Sequence, residues 1–149
     1  MKTEGVYHLC YLSTACDNLD INDFKEIVAA AQSHNEECGV TGILIYCNKH
    51  FFQILEGDKE DVLSIYSRLL VDYRHDNLIK LQEGFIPKRQ FEEWSMAFKS
   101  YNCELQQLDD FNNESFYSHI NYHLHNTNHV SLKILADFFD LNGNPEMIS

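Results

Sequence analysis

Along the chain, short apolar runs typical of β-strands alternate with segments in which apolar residues recur at helical spacing. This alternation constrains the fold more than any other feature. Short apolar runs rich in branched and aromatic residues predict buried β-strands. They occupy Val6–Ser13, Val40–Tyr46, Phe51–Glu56, Leu78–Ile86 and Trp94–Phe98. Only the polar residues 47–50 separate the second run from the third, so these two strands are expected to form a hairpin.

Two amphipathic helices are predicted between these strands. Asp20 is a candidate N-cap with Asp23 three residues later, and helical spacing continues to a stop near Asn35, before Gly39. The apolar positions of this helix are Ile21, Phe24, Ile27, Val28 and Ala31. The second helix follows Gly57 and Asp58, and its apolar stripe consists of Val62, Ile65, Leu69 and Tyr73.

The resulting order is strand, helix, strand, strand, helix, strand, with one extra strand. This order predicts an α+β, ferredoxin-like βαββαβ fold, in which a five-stranded mixed sheet carries both helices on one face. Residues 1–102 are expected to form this domain, and residues 103–149 a C-terminal helical extension. The extension packs its apolar residues on the sheet or across a subunit interface in this interpretation; they include Leu105, Leu108, Leu132, Leu135, Phe138 and Phe139.

Charge and composition narrow the class of partner. The chain of 149 residues has 23 acidic and 11 basic side chains, a net charge of −12, which disfavours direct nucleic-acid or anionic-membrane binding. It contains no apolar run long enough to span a membrane, and its start lacks the apolar core of a signal peptide. Five cysteines without a CxxC spacing fit free thiols in a reducing cytoplasm.

Few residues suggest chemistry by themselves. Gln53 lies inside an apolar strand, where a buried amide requires partners, although an edge-strand Gln facing water is the commoner case. Tyr11 is placed similarly in the first strand, where most aromatics simply belong to the core. Four histidines beyond position 118 (His119, His123, His125 and His129) are a candidate metal site. His119 and His123 would share a helix face at a usable ligand spacing, but a hydrophilic segment without a metal is the favoured interpretation.

The residues gain meaning together, because residues 6–98 resemble the BLUF family, the blue-light sensors that use flavin adenine dinucleotide (FAD). The resemblance is carried by a set of short motifs with family-like separations. They are Tyr11-Leu12-Ser13, Ser33-His34-Asn35, Val40-Thr41-Gly42-Ile43-Leu44, Phe51-Phe52-Gln53-Ile54-Leu55-Glu56-Gly57, Asp72-Tyr73-Arg74-His75 and Phe91-Glu92-Glu93-Trp94-Ser95-Met96. Val40 stands where the family more often has Ile, which is a conservative departure.

The resemblance implies a noncovalent FAD site in residues 1–102, although FMN or riboflavin could replace FAD in recombinant material. In the family, the flavin ring inserts between the two helices. Ile27 and Leu69 would flank the ring here, and Asn35 would bind its edge. The second-helix side of the pocket would consist of Arg68, Asp72, Arg74 and His75.

The resemblance also implies a photochemical role for four residues. Tyr11 would donate an electron and a proton to the excited flavin, and Gln53 would bridge Tyr11 and the flavin and then reverse its hydrogen bonds. Trp94 and Met96 share one face of the last strand, and either could approach Gln53. No metal is expected.

The chain is therefore interpreted as a cytoplasmic photoreceptor rather than an enzyme. It would signal to a separate downstream protein and is expected to form homo-oligomers. A small flavin-dependent oxidoreductase is the alternative, and a flavin-free interaction module is a third possibility. Steady-state turnover of the flavin with a reductant and an acceptor separates the sensor from the enzyme, and a colourless preparation would support the flavin-free module. The absorption spectrum before and after blue light is the most informative single observation.

Overall fold

The computed structural model describes residues 5–91 and 95–101. Within them the chain forms five strands and two helices in the order β1, α1, β2, β3, α2, β4, β5. Their bounds are Val6–Ala15 (β1), Ile21–Cys38 (α1), Thr41–Cys47 (β2), His50–Gly57 (β3), Lys59–Leu70 (α2), His75–Ile86 (β4) and Ser95–Tyr101 (β5). The predicted helical extension, residues 103–149, lies outside the described residues.

The strands form one sheet in the order β4-β1-β3-β2-β5. The β1–β3, β1–β4 and β2–β3 pairs are antiparallel, whereas β5 pairs with β2 in parallel. The chain must therefore cross from one edge of the sheet to the other between β4 and β5. An α+β domain with one sheet and two helices is confirmed.

Local chemistry explains where α1 begins and ends. The Asp20 side chain accepts a hydrogen bond from the Asp23 amide, and the Asp23 side chain accepts one from the Asp20 amide, so both residues form a capping box. Gly39 ends the helix with φ of 70°, a left-handed conformation that glycine adopts without steric cost. The Val40 amide then donates to the Asn35 carbonyl at 2.9 Å, which holds the end of α1 against the start of β2.

The β2–β3 hairpin turns through two residues. Cys47 pairs with His50, and the intervening Asn48 and Lys49 have φ of 49° and 69°. Positive φ at both central positions is typical of a type I′ turn, which matches the twist of the flanking strands. The predicted hairpin is confirmed: β2 has the predicted length but begins one residue later, β3 is longer than the sequence pattern indicated, and the link is shorter.

Both faces of the sheet are buried. On the first face, residues from β1, β2 and β3 pack with α1 and α2 in one core cluster that includes Leu9, Leu44, Leu55, Phe24, Val28, Val62 and Ile65. Alternate residues of the same strands lie on the second face, and Cys10, Ile43, Ile45, Phe52 and Ile54 have no exposed surface there. The described helices contribute their buried apolar side chains to the first face only.

The prediction that Tyr73 continues the apolar stripe of α2 is wrong. The helix ends at Leu70, and Tyr73 lies in the following turn with 79% of its surface exposed. The Asp72 amide still donates to the Leu69 carbonyl, but the chain then turns into β4. Helical spacing alone could not locate this end, because no glycine or proline follows Leu70.

Candidate functional site

A cavity of about 210 Å³ lies on the first face of the sheet, with α1 on one side and α2 on the other. It is lined by all the predicted site residues whose side chains the structure describes: Tyr11, Ile27, Asn35, Gln53, Arg68, Leu69, Asp72, Arg74 and His75. Trp94 lies outside the described residues, and Met96 is placed in β5 with no description of its side chain. The sequence therefore located a single site from residues up to 64 positions apart.

Tyr11 and Gln53 meet on the floor of the cavity because they are cross-strand neighbours in the β1–β3 pair. Both side chains are buried, and the Tyr11 hydroxyl donates a hydrogen bond to Oε1 of Gln53 at 2.5 Å. Burial raises the pKa of the Tyr11 phenol far above its usual range, and Asp72 and Tyr66 raise it further. Tyr11 is thus a neutral donor, and Gln53 turns its acceptor end towards it.

Asn35 contributes an unpaired donor to the cavity. It lies in the last turn of α1 with 1% of its surface exposed, and its Nδ2 has no hydrogen-bond partner among the described residues. A buried N–H without an acceptor costs about 1–3 kcal/mol. A ligand carbonyl or ring nitrogen at this position would satisfy it, so the side chain fits the edge of a polar heterocycle.

The walls of the cavity are apolar where the two helices face each other. Ile27 on α1 and Ile65 and Leu69 on α2 line it, and the small side chains of Ala30 and Ala31 leave space between the helices. A space bounded by two helices and a sheet suits a flat apolar ligand, because such a ligand buries both of its faces at once.

An ion pair closes one side of the cavity. Arg74 donates from Nε and Nη2 to the two carboxylate oxygens of Asp72 at 3.0 and 2.9 Å, and Nη1 lies 3.7 Å from Glu26. Burial alone would raise the pKa of Asp72, but the hydrogen bonds and charge of Arg74 outweigh it and lower that pKa. Arg74 is therefore committed to carboxylates of this chain.

Arg68 has different surroundings. Its Nη1 lies 2.8 Å from Nε2 of His34; Arg68 is exposed, and His34 is partly buried. Among the described residues no carboxylate pairs with Arg68. The guanidinium at this side of the cavity is thus available to an anionic group of a ligand.

His75 connects α2 with the sheet. Its Nε2 lies 2.8 Å from the Leu69 carbonyl, which can only accept, so Nε2 carries the hydrogen. Its Nδ1 can then accept from the Ser13 hydroxyl at 2.8 Å. These two bonds hold the end of α2 over β1 and position Leu69 in the cavity wall.

Sequence reasoning missed several lining residues as members of the site: Ala30, Ala31, His34, Leu44, Phe51 and Ile65. Two signals were present for some of them. Leu44 pairs with Gln53, and Phe51 lies two positions before Gln53, so both share its face of the sheet. Ser13 was missed as well, because a single serine at a strand end carries no signal for its contact with His75.

The described part of the chain lacks two kinds of feature. No helix within it is long and apolar enough to cross a membrane. Residues 5–91 and 95–101 contain no cluster of three or more His, Cys, Asp or Glu side chains that could hold a metal ion. The four histidines considered above lie outside these ranges.

The fold and the site define a small α+β domain that encloses a ring-sized cavity between two helices, with a buried Tyr–Gln pair at its floor. Comparison with known proteins identifies the family to which this domain belongs. Residues 6–97 match the BLUF family, described as sensors of blue-light using FAD. The chain belongs to this family, and the resemblance noted in the sequence is confirmed.

Three similar proteins illustrate the range of the family. The blue light- and temperature-regulated antirepressor BluF of Escherichia coli (strain K12) is 35% identical over 102 residues, which are 68% of this chain and 25% of that protein. A bacterial light-regulated adenylyl cyclase is 33% identical with a TM-score of 0.64, and the match covers 66% of this chain and 29% of the other. The dark-state structure of BlrB, a BLUF protein, is 29% identical with a TM-score of 0.62, covering 65% and 74% of the two chains.

The match spans only about a quarter of the antirepressor and of the cyclase. The antirepressor and adenylyl cyclase functions are named for those longer proteins. What they share with this chain is the domain that senses blue light through a flavin.

Proposed function

We propose that this chain is a blue-light sensor in which light changes the hydrogen bonds of Tyr11 and Gln53 and thereby signals to a partner protein. The observation that carries the proposal is the buried Tyr11–Gln53 hydrogen bond in a cavity that is also lined by Asn35, whose Nδ2 has no partner among the described residues. The three side chains form a donor and acceptor arrangement around a flat space.

The cavity supports an FAD site in which only the ring is enclosed. Pockets that hold whole drug-sized ligands measure about 300–1,000 Å³, so about 210 Å³ suits one ring system better than a whole dinucleotide. Ile27 and Leu69 would cover the two faces of the ring, and Asn35 would bind its edge. Arg68, which has no carboxylate partner among the described residues, is placed to meet the anionic phosphates of FAD, a reason to favour FAD over riboflavin.

The remaining predicted residues would shape the site without contacting the phosphates directly. Asp72 and Arg74 neutralise each other through two hydrogen bonds, so their role would be to hold the turn after α2. His75 would keep Leu69 against the ring through its bond to the Leu69 carbonyl.

The photochemical step would be divided between cofactor and protein. A bound flavin, once excited, supplies a strong oxidant. Tyr11 would give up an electron, and its hydroxyl proton would move along the existing hydrogen bond to Oε1 of Gln53. The Gln53 amide has one acceptor end and one donor end, so rotation or tautomerisation would reverse the bonds that it presents to the ring.

The last strand would carry the change outward. Trp94 and Met96 are two residues apart and belong to the segment that enters β5, which pairs with β2 beside Leu44. We propose that one of them approaches Gln53 in the dark and that light alters this contact. Leu44 pairs with Gln53 on one side and with Phe98 on the other, so β2 alone separates β5 from the strand that carries Gln53.

The output would leave through residues 103–149, which lie outside the described residues. We propose that these residues form the second unit of the chain beside the domain of residues 1–102, and that they cover the second face of the sheet. The support is the complete burial of Ile43, Phe52 and Ile54 on that face, to which the described helices contribute no buried apolar side chain. A downstream protein or a second copy would then read this surface.

An absorption spectrum of the purified chain before and after blue light tests the proposal. We expect noncovalently bound flavin and a small red shift that reverses in the dark. Gln53→Leu is the control, because it keeps the volume of the side chain and removes the amide; it should bind flavin without the normal shift. Bleaching to a reduced flavin, or a colourless preparation that takes up no added FAD, would refute the proposal.

A further inference from the structure

Glu56 is a buried carboxylate to which the proposed photochemistry gives no role. It lies in β3 with no exposed surface, on the opposite face of the strand from Gln53 by alternation. Its Oε1 accepts hydrogen bonds from the amides of Gln90 and Phe91, both at 2.9 Å, and its Oε2 lies 2.9 Å from the Gln90 amide. A buried carboxylate needs such donors, and bonds to a charged acceptor are stronger than neutral ones. Glu56 therefore anchors the connection between β4 and β5.

Arg89 ties the same connection to another part of the fold. Its Nη1 donates to the Gly39 carbonyl at 2.8 Å, to Oγ1 of Thr41 at 2.9 Å and to the Glu56 carbonyl at 3.3 Å. Gly39 and Thr41 flank the link from α1 to β2. Arg89 and Glu56 together form a junction at which α1, β2, β3 and the β4–β5 connection meet.

One main-chain hydrogen bond connects the junction to a residue that lines the cavity. Asn35 lines the cavity with its unpaired Nδ2, and its carbonyl accepts from the Val40 amide at 2.9 Å. Val40 lies between the two residues that Arg89 contacts. A movement of Asn35 towards or away from a ligand therefore acts on the link that Arg89 holds.

The other side of the junction leads to β5. Phe91, held by Glu56, is followed after three residues by Ser95, the first residue of β5. The β2–β5 pairing begins at Gly42 and Ser95 and is irregular between Gly42 and Ile43. The start of β5 is thus positioned by the connection as well as by its strand partner.

The Gln90 side chain has a buried polar atom that this arrangement leaves unpaired. Its side chain is 6% exposed, and its Oε1 has no hydrogen-bond partner in the described part of the chain. A buried acceptor without a donor disfavours the arrangement that contains it. The β4–β5 connection therefore carries a local energetic cost at Gln90.

We infer that Arg89 and Glu56 are positioning residues that couple Asn35 in the cavity to the start of β5, through the α1–β2 link. The inference rests on the proposed function, in which light changes the hydrogen bonds around the flavin. It adds a second route to β5, which runs through Asn35 and the junction and does not require Trp94 or Met96 to contact Gln53.

Hydrogen exchange of the full flavin-loaded chain, in the dark and under blue light, tests the coupling. Arg89→Gln removes the guanidinium, and Lys88→Gln is the matched control, because Lys88 is exposed, adjacent and makes none of these bonds. In the dark we expect about tenfold faster exchange of the Gln90 and Phe91 amides in Arg89→Gln than in Lys88→Gln, the effect of weakening one charged hydrogen bond. Under light, residues 95–101 should change exchange in the parent and in Lys88→Gln but not in Arg89→Gln.

The flavin spectrum separates coupling from damage to the site. Arg89→Gln should keep the light-induced red shift of the parent while its β5 response is lost. Glu56→Gln, which keeps the volume and one acceptor oxygen, should act in the same direction. If Arg89→Gln keeps both the red shift and the β5 response, the coupling is refuted and the proposed function stands. If the parent shows no red shift, the proposed function itself fails.

Discussion

At the scale of single residues, the burial of Tyr11 decides what its hydroxyl can do before light arrives. Because desolvation raises its pKa far above the usual range, the phenol stays protonated at neutral pH and donates to Gln53. In the proposed mechanism, this phenol loses its proton only after it has given up an electron to the excited flavin. Under that proposal the dark state persists until light excites the flavin.

Tyr11→Phe is the direct test of this role. The variant keeps the aromatic ring and loses the hydroxyl, so we expect flavin binding close to that of the parent and loss of the normal light-induced shift. Tyr66→Phe is the matched control, because the Tyr66 ring lies 5.8 Å from the Tyr11 ring in the same core. If Tyr11→Phe photocycles like the parent and Tyr66→Phe shows no light-induced shift, the electron donor is Tyr66 rather than Tyr11.

Asn35→Ala tests the ligand-binding end of the cavity. Each hydrogen bond to the ring is worth about 1 kcal/mol, so its loss should raise the Kd for flavin about fivefold. The flavin-free protein is the internal control, because Nδ2 has no partner there and its removal should cost little stability. Calorimetric titration with FAD and thermal unfolding without it measure the two effects. An unchanged Kd would show that Asn35 does not contact the ring.

The Asp72–Arg74 pair predicts a pH dependence. The pKa of Asp72 is lower in the folded chain than its usual value of 3.8, so its stabilisation is present above that pH and is lost as the pH falls through the folded pKa. Asp72→Asn should lower the free energy of unfolding at pH 7 by about 1 kcal/mol or less, since the pair is partly exposed. Urea titrations at pH 7 and pH 3 should show this difference shrinking at the lower pH. Asp76→Asn, an exposed control, should show little effect at either pH.

At the scale of elements, the sequence predicted features that depend on neighbouring residues, such as the N-cap of α1. It missed the strand ends, which depend on pairing with distant residues. The capping box at Asp20 located the start of α1, whereas the predicted stop near Asn35 falls short of Cys38, after which the left-handed Gly39 ends the helix. The strand ends depended on distant partners: β1 continues to Ala15 because its amide donates to Lys49 and it pairs with His75. No local pattern contains that information.

The capping box makes a prediction at this scale. Asp20→Ala removes the acceptor for the Asp23 amide and should lower the free energy of unfolding by about 1 kcal/mol. Asp17→Ala is the matched control, because Asp17 is an exposed acid three residues earlier whose described ion pair, with Lys49 at 3.5 Å, is also exposed. Chemical denaturation of both variants measures the difference. Equal effects would mean that total charge, rather than the cap, stabilises α1.

At the scale of the whole molecule, family-like separations of Tyr11, Asn35 and Gln53 were enough to predict one shared site, but not its complete lining. Ala30, Ala31 and His34 lie three, four and seven residues after Ile27 in α1, so helical spacing places them on the same face as that predicted residue. The junction of Glu56 and Arg89 was hidden, because it joins residues 33 positions apart through a buried charge in an apolar strand. The spacing of apolar residues predicts which positions form the core, but it does not predict that a carboxylate such as Glu56 is buried.

The burial of both sheet faces gives the last prediction. Ile54 lies on the second face with no exposed surface, whereas Ile79 in the edge strand β4 is 54% exposed. If the second face is covered in solution, Ile54→Ala should lower the free energy of unfolding of the full chain by about 2–5 kcal/mol, as expected for a buried aliphatic truncation. Ile79→Ala, the same change at an exposed site, should cost less than about 0.5 kcal/mol. The flavin spectrum should stay unchanged in both variants, because the cavity lies on the first face. Denaturant titration decides: similar small costs for the two variants would mean that the second face is open to water and that residues 103–149 do not cover it.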